Sequence, residues 1–292
     1  MSGAALQVLR PGALTTVQDA GRPGHAHLGV PRSGALDRAA YALANRLLGN
    51  RPDAAALETT VDGVGLRALA AVTVAVTGAP CAVRISGRPA AWGAPLWLRA
   101  GAELEVGRAE SGLRSYVAVR GGLAVPPVLG SRSTDLLSGL GPAVLSEGAL
   151  LPVGPPGPDP LPAVDPPGTP GPAAELVLPL RLGPRADWFE EAALAELWRG
   201  RYRVSPESNR IGLRTESGPR LARSRPGELP SEGMVLGAVQ VPPDGLPVVF
   251  LADHPVTGGY PVVGVVPAAA LSAAAQARPG VGVRFVRGRG RG

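Results

Sequence analysis

Between residues 55 and 125 the chain is a succession of short aliphatic segments, VTVAVTG, CAVRIS, PLWLRAG, AELEVG and SYVAVRGG, each bounded by glycine, proline or a polar turn. Runs of about four to eight β-branched or leucine-rich residues suit strands and are too short for helices. Their regular spacing, with no helical stretch between them, points to an all-β barrel or sandwich rather than a βαβ array. The 41 glycines and 33 prolines of the whole chain supply the turns. A disordered chain also carries such numbers, but not these valine and leucine runs. Hydrophobic residues make up 45% of the sequence, enough for a sizeable core, and with aromatics at 4% the filling must be aliphatic.

A length of 292 residues suggests two packed domains. The chain opens with a strand, ALQVLRPG, and a polar loop, TTVQDAGRPGHAHLGVPRSG. The clearest helix follows in ALDRAAYALANRLLGN, where Leu36, Ala40, Leu43 and Leu47 recur at helical spacing. Ser33 or Gly34 is placed to cap it, Asp37 falls in its first turn and Gly49 can end it. Residues 154–172, GPPGPDPLPAVDPPGTPGP, are turn and polyproline material that cannot bury a core. They divide the chain into a domain of 1–153, a crossing of 154–172 and a domain of 173–292. The second half restarts with the strand ELVLPLRLG and a helix in RADWFEEAALAELWRG. Strands YRVS, GMVLGAVQVP, PVVFLAD and VVGVVP, a helix or helical turn PAAALSAAAQA and a closing strand GVRFVRG complete a mainly β chain with few helices.

The formal charge is 29 − 23 = +6, and every basic residue is arginine. Without lysine there is no Schiff-base chemistry and no Walker lysine. The arginines are scattered, with one dense run at Arg287, Arg289 and Arg291, so nucleic acid is not an expected partner. Cys81 is the only cysteine. It permits neither an intrachain disulfide nor a cysteine-based zinc site, and its apolar setting suggests a buried structural thiol. No signal peptide or membrane span is evident, and a cytoplasmic location is expected.

Polar residues gather in three places. QDAGRPGHAHLGVPRSG combines Gln18, Asp19, Arg22, His25, His27 and Ser33 with glycines that allow close backbone approach to a ligand. The loop suits an amide or carboxylate substrate; the structural alternative is a surface loop with Asp19 and Arg22 paired internally. His25 and His27 have no third ligand nearby, so no metal centre is expected. GSRSTD offers Ser131, Arg132, Ser133, Thr134 and Asp135, suited to clamping an anion, or equally to a capped turn with an internal Arg132–Asp135 pair. In the second half, ELPSEG supplies Glu228, Ser231 and Glu232, AVQVPPDG supplies Gln240 and Asp244, and LADHPVTGGYP supplies Asp253, His254, Thr257 and Tyr260. Glu232 or Asp253 is a candidate general base, and Gln240 and Thr257 can hydrogen-bond an amide. Asp244 belongs to a turn sequence, and His254 can simply cap a strand.

Five blocks, TTVQDAGRPGHAHLGVPRSGALDRAAYALANRLLGN, RSYVAVRGGLAVPPVLGSRSTD, VSPESNRIGLRTES, ELPSEGMVLGAVQVPPDGLPVVFLADHPVTGGYPVVGVV and RPGVGVRF, stand in the order of the biotin-dependent carboxyltransferase-like family. The chain strongly resembles that family, which includes the C subunit of 5-oxoprolinase, the antagonist of the kinase inhibitor KipI and the carboxyltransferase region of urea amidolyase. The resemblance implies tandem cyclophilin-like β-barrels with a site near their junction. It implies two partners, the KipI-like B subunit of 5-oxoprolinase together with its A subunit, and a small amide or lactam substrate such as 5-oxoproline. ATP would be used by the complex, on this or another chain; biotin, if used instead, would ride on a partner. Catalysis would fall to Glu232, Asp253 and Arg132, and substrate binding to Asp19, Arg22, His27, Ser131, Ser133, Asp135, Gln240, Thr257 and Tyr260. Some relatives carry lysine directly after TGGYP; Val262 stands there in this chain.

Overall fold

A computed structural model describes residues 4–164, 168, 174–227 and 229–288; Glu228, Arg289 and Arg291 lie outside them. The chain divides into two compact units. The first comprises Met1–Arg22, Asp37–Asp135 and Gly139–Pro172; the second comprises Pro23–Leu36, Leu136–Ser138 and Ala173–Gly292.

Among the described residues the first unit holds eleven strands: β1 (Ala4–Arg10), β2 (Leu14–Gln18), β3 (Ala56–Thr60), β4 (Val64–Ala68), β5 (Val72–Gly78), β6 (Cys81–Ile85), β7 (Arg88–Ala90), β8 (Pro95–Leu98), β9 (Glu103–Ala109), β10 (Arg114–Val119) and β11 (Leu150–Pro152). They form two antiparallel sheets, β11-β1-β4-β9-β6-β7 and β2-β3-β10-β5-β8. Leu6, Leu66 and Val106 from one sheet and Leu57, Val76 and Leu98 from the other belong to one buried cluster. The two sheets of this unit thus enclose one core between them. β9 alternates exposed and buried residues, as a strand with one wet face must. β10 is buried throughout, because helix α1 (Arg38–Leu47) covers its outer face: Tyr41 meets Tyr116 edge-on at 6.4 Å, and Thr77 on neighbouring β5 donates to the Ala40 carbonyl at 2.7 Å.

Asp37 caps α1, accepting from the Ala40 amide at 3.0 Å, where Ser33 or Gly34 was expected. Cys81 is a buried free thiol, pushed above its ordinary pKa by that burial. Residues 154–164 contain no regular strand or helix, and Arg120 reaches the carbonyls of Gly157, at 3.2 Å, and Asp159.

The second unit is a closed barrel of β12 (Glu175–Leu182), β13 (Tyr202–Val204), β14 (Gly212–Glu216), β16 (Ala238–Gln240), β17 (Val248–Phe250), β19 (Val262–Val265) and β20 (Gly282–Arg287), in the order β12-β19-β16-β17-β14-β13-β20. Parallel pairing of β12 with β20 closes it. A separate short ribbon joins β15 (Glu232–Gly233) to β18 (Thr257–Gly258). Leu178, Leu180, Val239, Val249, Val263 and Phe285 fill the interior, sealed by Leu197 of helix α2 (Glu191–Arg199) and Leu271 of helix α3 (Ala268–Gln276). The helix expected across RADWFEEAALAELWRG is interrupted. A 3-10 turn spans Pro184–Trp188, Phe189 is extended, and α2 begins at Glu191.

Among the described residues no helix is long and apolar enough to cross a membrane, and no His, Cys, Asp and Glu cluster suits a metal ion.

Candidate functional site

In the first unit, Asp19 follows directly on β2 and organises the GSRSTD turn. Its Oδ1 accepts from the hydroxyls of Ser131 and Ser133, both at 2.6 Å, and from the Gly21 amide at 2.8 Å. Its Oδ2 accepts from the Arg132 amide at 2.5 Å. The turn is also pinned through its backbone, since the Thr134 amide donates to the Val17 carbonyl and the Gln18 side chain donates to the Thr134 carbonyl, each at 2.9 Å. Arg22 donates to the Ser133 carbonyl and lies 3.9 Å from Asp135. The internal pairs therefore differ from those the sequence suggested: Asp19 holds serines and backbone amides, and Asp135 faces Arg22 rather than Arg132. The Arg132 Nε donates to the Val125 carbonyl at 2.7 Å. Asp19, Arg22, Ser131, Ser133 and Asp135 are all buried, so they support the turn from within.

In the second unit, Asp253 follows β17 by three residues and is completely buried. Arg210 grips it bidentately, with Nε to Oδ2 and Nη2 to Oδ1 at 2.9 Å each. The Ser33 hydroxyl adds a bond of 2.8 Å and the Leu136 amide one of 3.1 Å. Arg210 also donates to the Gly34 carbonyl at 2.7 Å. Ser33 adopts a left-handed backbone (φ 53°) and donates its amide to the Ala252 carbonyl at 3.0 Å. Four donors occupy this carboxylate, which ties 33–34, 136, 210 and 253 together. His254 stacks on Phe250 with ring centroids 6.0 Å apart, and its Nδ1 lies 2.7 Å from the Pro255 carbonyl.

A separate group in the same unit brings together Glu232, Gln240, Thr257 and Tyr260. Glu232 pairs with Gly258, and Gly233 with Thr257, in the β15–β18 ribbon. The Glu232 carboxylate is half-exposed and forked by Arg185, whose Nε lies 2.9 and 3.0 Å from its two oxygens. That guanidinium holds the carboxyl below the usual glutamate range, so it stays ionised and is a weaker proton acceptor than a free glutamate. Gln240 ends β16, is buried, and donates to the Tyr260 carbonyl at 3.2 Å. A Cβ on Gly258 would stand 2.9 Å from the Gln240 Nε2, so glycine there lets the ribbon approach the amide. Thr257 is exposed, and the Arg223 guanidinium lies over the Tyr260 ring, 5.5 Å from its centroid. His27 stands apart from this group: it is exposed in a 3-10 turn, Ala26–Leu28, with Nδ1 3.1 Å from the Gly24 carbonyl.

Three residues of these arrangements, Arg185, Arg210 and Arg223, were not singled out from the sequence. Arg210 lies 43 residues from Asp253 and Arg185 lies 47 from Glu232, separations at which no local spacing rule operates. Arg223 did carry a signal, because Arg220, Arg223 and Arg225 crowd PRLARSRPG. The C-terminal run is therefore not the one dense group of arginines.

The family model described as carboxyltransferase domain, subdomain A and B, matches residues 28–287. The chain is 38% identical to the C subunit of 5-oxoprolinase from Escherichia coli, over 97% of this chain and 91% of that protein. It is 34% identical to urea amidolyase of Lachancea kluyveri, over 97% of this chain and 17% of the larger protein. The solved structure of the K. lactis urea amidolyase superposes with a TM-score of 0.88 at 31% identity, covering 98% of this chain and 19% of that one.

Proposed function

The chain belongs to the carboxyltransferase domain, subdomain A and B, family, and from that premise we propose that it is the C subunit of an ATP-dependent 5-oxoprolinase. It works with a KipI-like B subunit, plus an A subunit, to open 5-oxoproline to glutamate. The observation that carries this reading is the match to the E. coli C subunit, which runs across nearly the whole of both chains. A lactam carbonyl is a poor electrophile, and ATP serves the complex as the substrate that activates it. With no lysine and no GxxxxGK[ST] sequence, this chain is assigned none of the ATP contacts.

The role proposed for this chain is to bind and orient the amide. Thr257 and Gln240 are its donors toward the carbonyl oxygen as negative charge grows there, Gln240 through the second of its two Nε2 hydrogens, the first being given to the Tyr260 carbonyl. Tyr260 forms a wall, and the Arg185–Glu232 pair fixes the ribbon that carries Thr257. Arg132, in the first unit, is a separate candidate donor presented by the GSRSTD turn. Asp19, Arg22, Ser131, Ser133 and Asp135 act by holding that turn, and Asp253 by anchoring its own unit, because all six are buried and occupied.

The test is reconstitution of the three-subunit complex and measurement of ATP-dependent glutamate release. Omitting this chain should abolish release, and Gln240→Ala should lower kcat by about 10²-fold. Release that persists without this chain would overturn the reading. A second reading, transfer of a carboxyl group from carboxybiotin on a partner to urea or a related amide, is favoured by the similarity to urea amidolyase. Biotin-dependent carboxylation of urea in the reconstituted mixture would establish it. Stable binding of a KipI-like chain with no turnover would instead mark the protein as a non-catalytic antagonist.

A further inference from the structure

The segment PRLARSRPG packs beside the turn Pro243–Gly245, and between them, within the second unit, lies an open cleft of about 500 Å³. That is room for a small ligand. Its charged lining among the described residues is Arg220, Arg223, Arg225 and Asp244, a formal sum of 3 − 1 = +2.

Arg223 is the fixed member of the group. Its backbone bridges to Phe189, its Nη2 donates to the Val241 carbonyl at 2.7 Å, and its guanidinium rests on the Tyr260 ring. Among the described residues these contacts give its charge no counter-ion, since a carbonyl and a ring face neutralise nothing. Its buried Nε has no hydrogen-bond acceptor among the described residues, an uncommon condition for a buried donor. Arg220 is oriented by the Asp244 carbonyl at 2.6 Å and likewise keeps its charge. Arg225 is paired with Asp187 at 2.9 Å, so among the described residues Arg220 and Arg223 are the cations of the lining without a carboxylate partner.

The first unit offers a contrast. Its cleft at Arg10 and Arg108 is also lined by Asp62 and Glu105, a formal sum of 2 − 2 = 0, with Arg108 bound to Asp62 at 2.7 Å. Arginine is thus balanced in one cleft and in excess in the other.

We propose that the Arg220–Arg223 cleft is a binding site for a small oxyanion, the carboxylate or phosphate group of a ligand. A planar guanidinium braced by an aromatic ring, with a second arginine in the same cleft, suits a two-oxygen acceptor. The 5-oxoproline arm of the proposal rests on the 5-oxoprolinase reading, since Arg223 lies on the Tyr260 ring assigned to that site, whereas the phosphate arm stands apart from it.

Titration calorimetry of the full chain at low ionic strength, with inorganic phosphate and with 5-oxoproline, tests it. At least one anion should bind with one-to-one stoichiometry, and the tighter of the two identifies the source. Arg223→Gln should weaken that binding at least about tenfold and Arg220→Gln by a smaller factor. Arg108→Gln, which removes the same charge from the balanced cleft, should leave it unchanged. If Arg223→Gln lowers the melting temperature, the exposed Arg220 decides the matter. The proposal fails if neither anion binds at high millimolar concentration. It fails equally if Arg108→Gln weakens binding as much as the cleft variants, which would mark a mere effect of net charge.

Discussion

Asp253 has no exposed surface and four hydrogen-bond donors, one pair of them from a guanidinium that is itself buried. Asparagine at this position keeps the shape but turns an N–H toward Arg210 and leaves that cation without its counter-charge. Breaking such a pair costs about 3–5 kcal/mol, so Asp253→Asn should shift the urea midpoint far below that of the parent chain. A midpoint within error of the parent would remove the anchoring role. Glu232 shows the opposite regime, a half-exposed carboxylate whose pKa Arg185 depresses. A depressed folded pKa means that the stabilisation is complete above the unfolded value of about 4.3 and fades as pH falls through the lower folded value. Glu232→Gln should therefore be slightly less stable than the parent at neutral pH, with the gap closing under acid; melting curves across pH check this. At this scale the sequence showed which residues are polar and interesting. It could not show that Asp253 is enclosed and Glu232 wet, because burial is a property of what packs around a residue.

At the scale of elements, punctuation by glycine and proline was highly legible. The segments VTVAVTG, CAVRIS, PLWLRAG, AELEVG and SYVAVRGG all contain strands, since each limit is set by neighbours along the chain. Where the expectations slipped, tertiary packing had intervened. GMVLGAVQVP reads as one strand, yet β16 starts only at Ala238, because Gly237 turns left-handed (φ 83°). A Cβ on Gly237 would lie 2.2 Å from the Val266 carbonyl oxygen, so the residue also permits close backbone approach. Gly237→Ala should destabilise the barrel by more than about 1 kcal/mol, seen as a lower melting temperature. An unchanged melting temperature would show that the turn can rearrange. The cap of α1 moved to Asp37 for a related reason: Ser33, one of the expected caps, is engaged with Asp253 and Ala252.

At the scale of the whole molecule, the barrel of the second unit closes through contacts distant in sequence. β20 lies parallel to β12, in a register that runs from Glu175 opposite Gly282 to Leu180 opposite Arg287, and antiparallel to β13. Ending the chain after Arg278 would remove β20 and expose the edges of two strands at once. Such a truncation should lose the cooperative unfolding of the second unit and become protease-sensitive within 173–278; retention of both would mean that the barrel survives open. The sequence by itself determined the mainly β character, the three helical segments, the exclusion of lysine and disulfide chemistry, and the family, because short-range patterning and ordered motif blocks are written along the chain. Only the tertiary structure decided that 23–36 and 136–138 join the second unit, that Arg210 meets Asp253, and that Arg220 and Arg223 line one cleft. The physical reason is the same in each case: a buried charge must find its partner in space, and the residue that answers it can stand anywhere in the sequence.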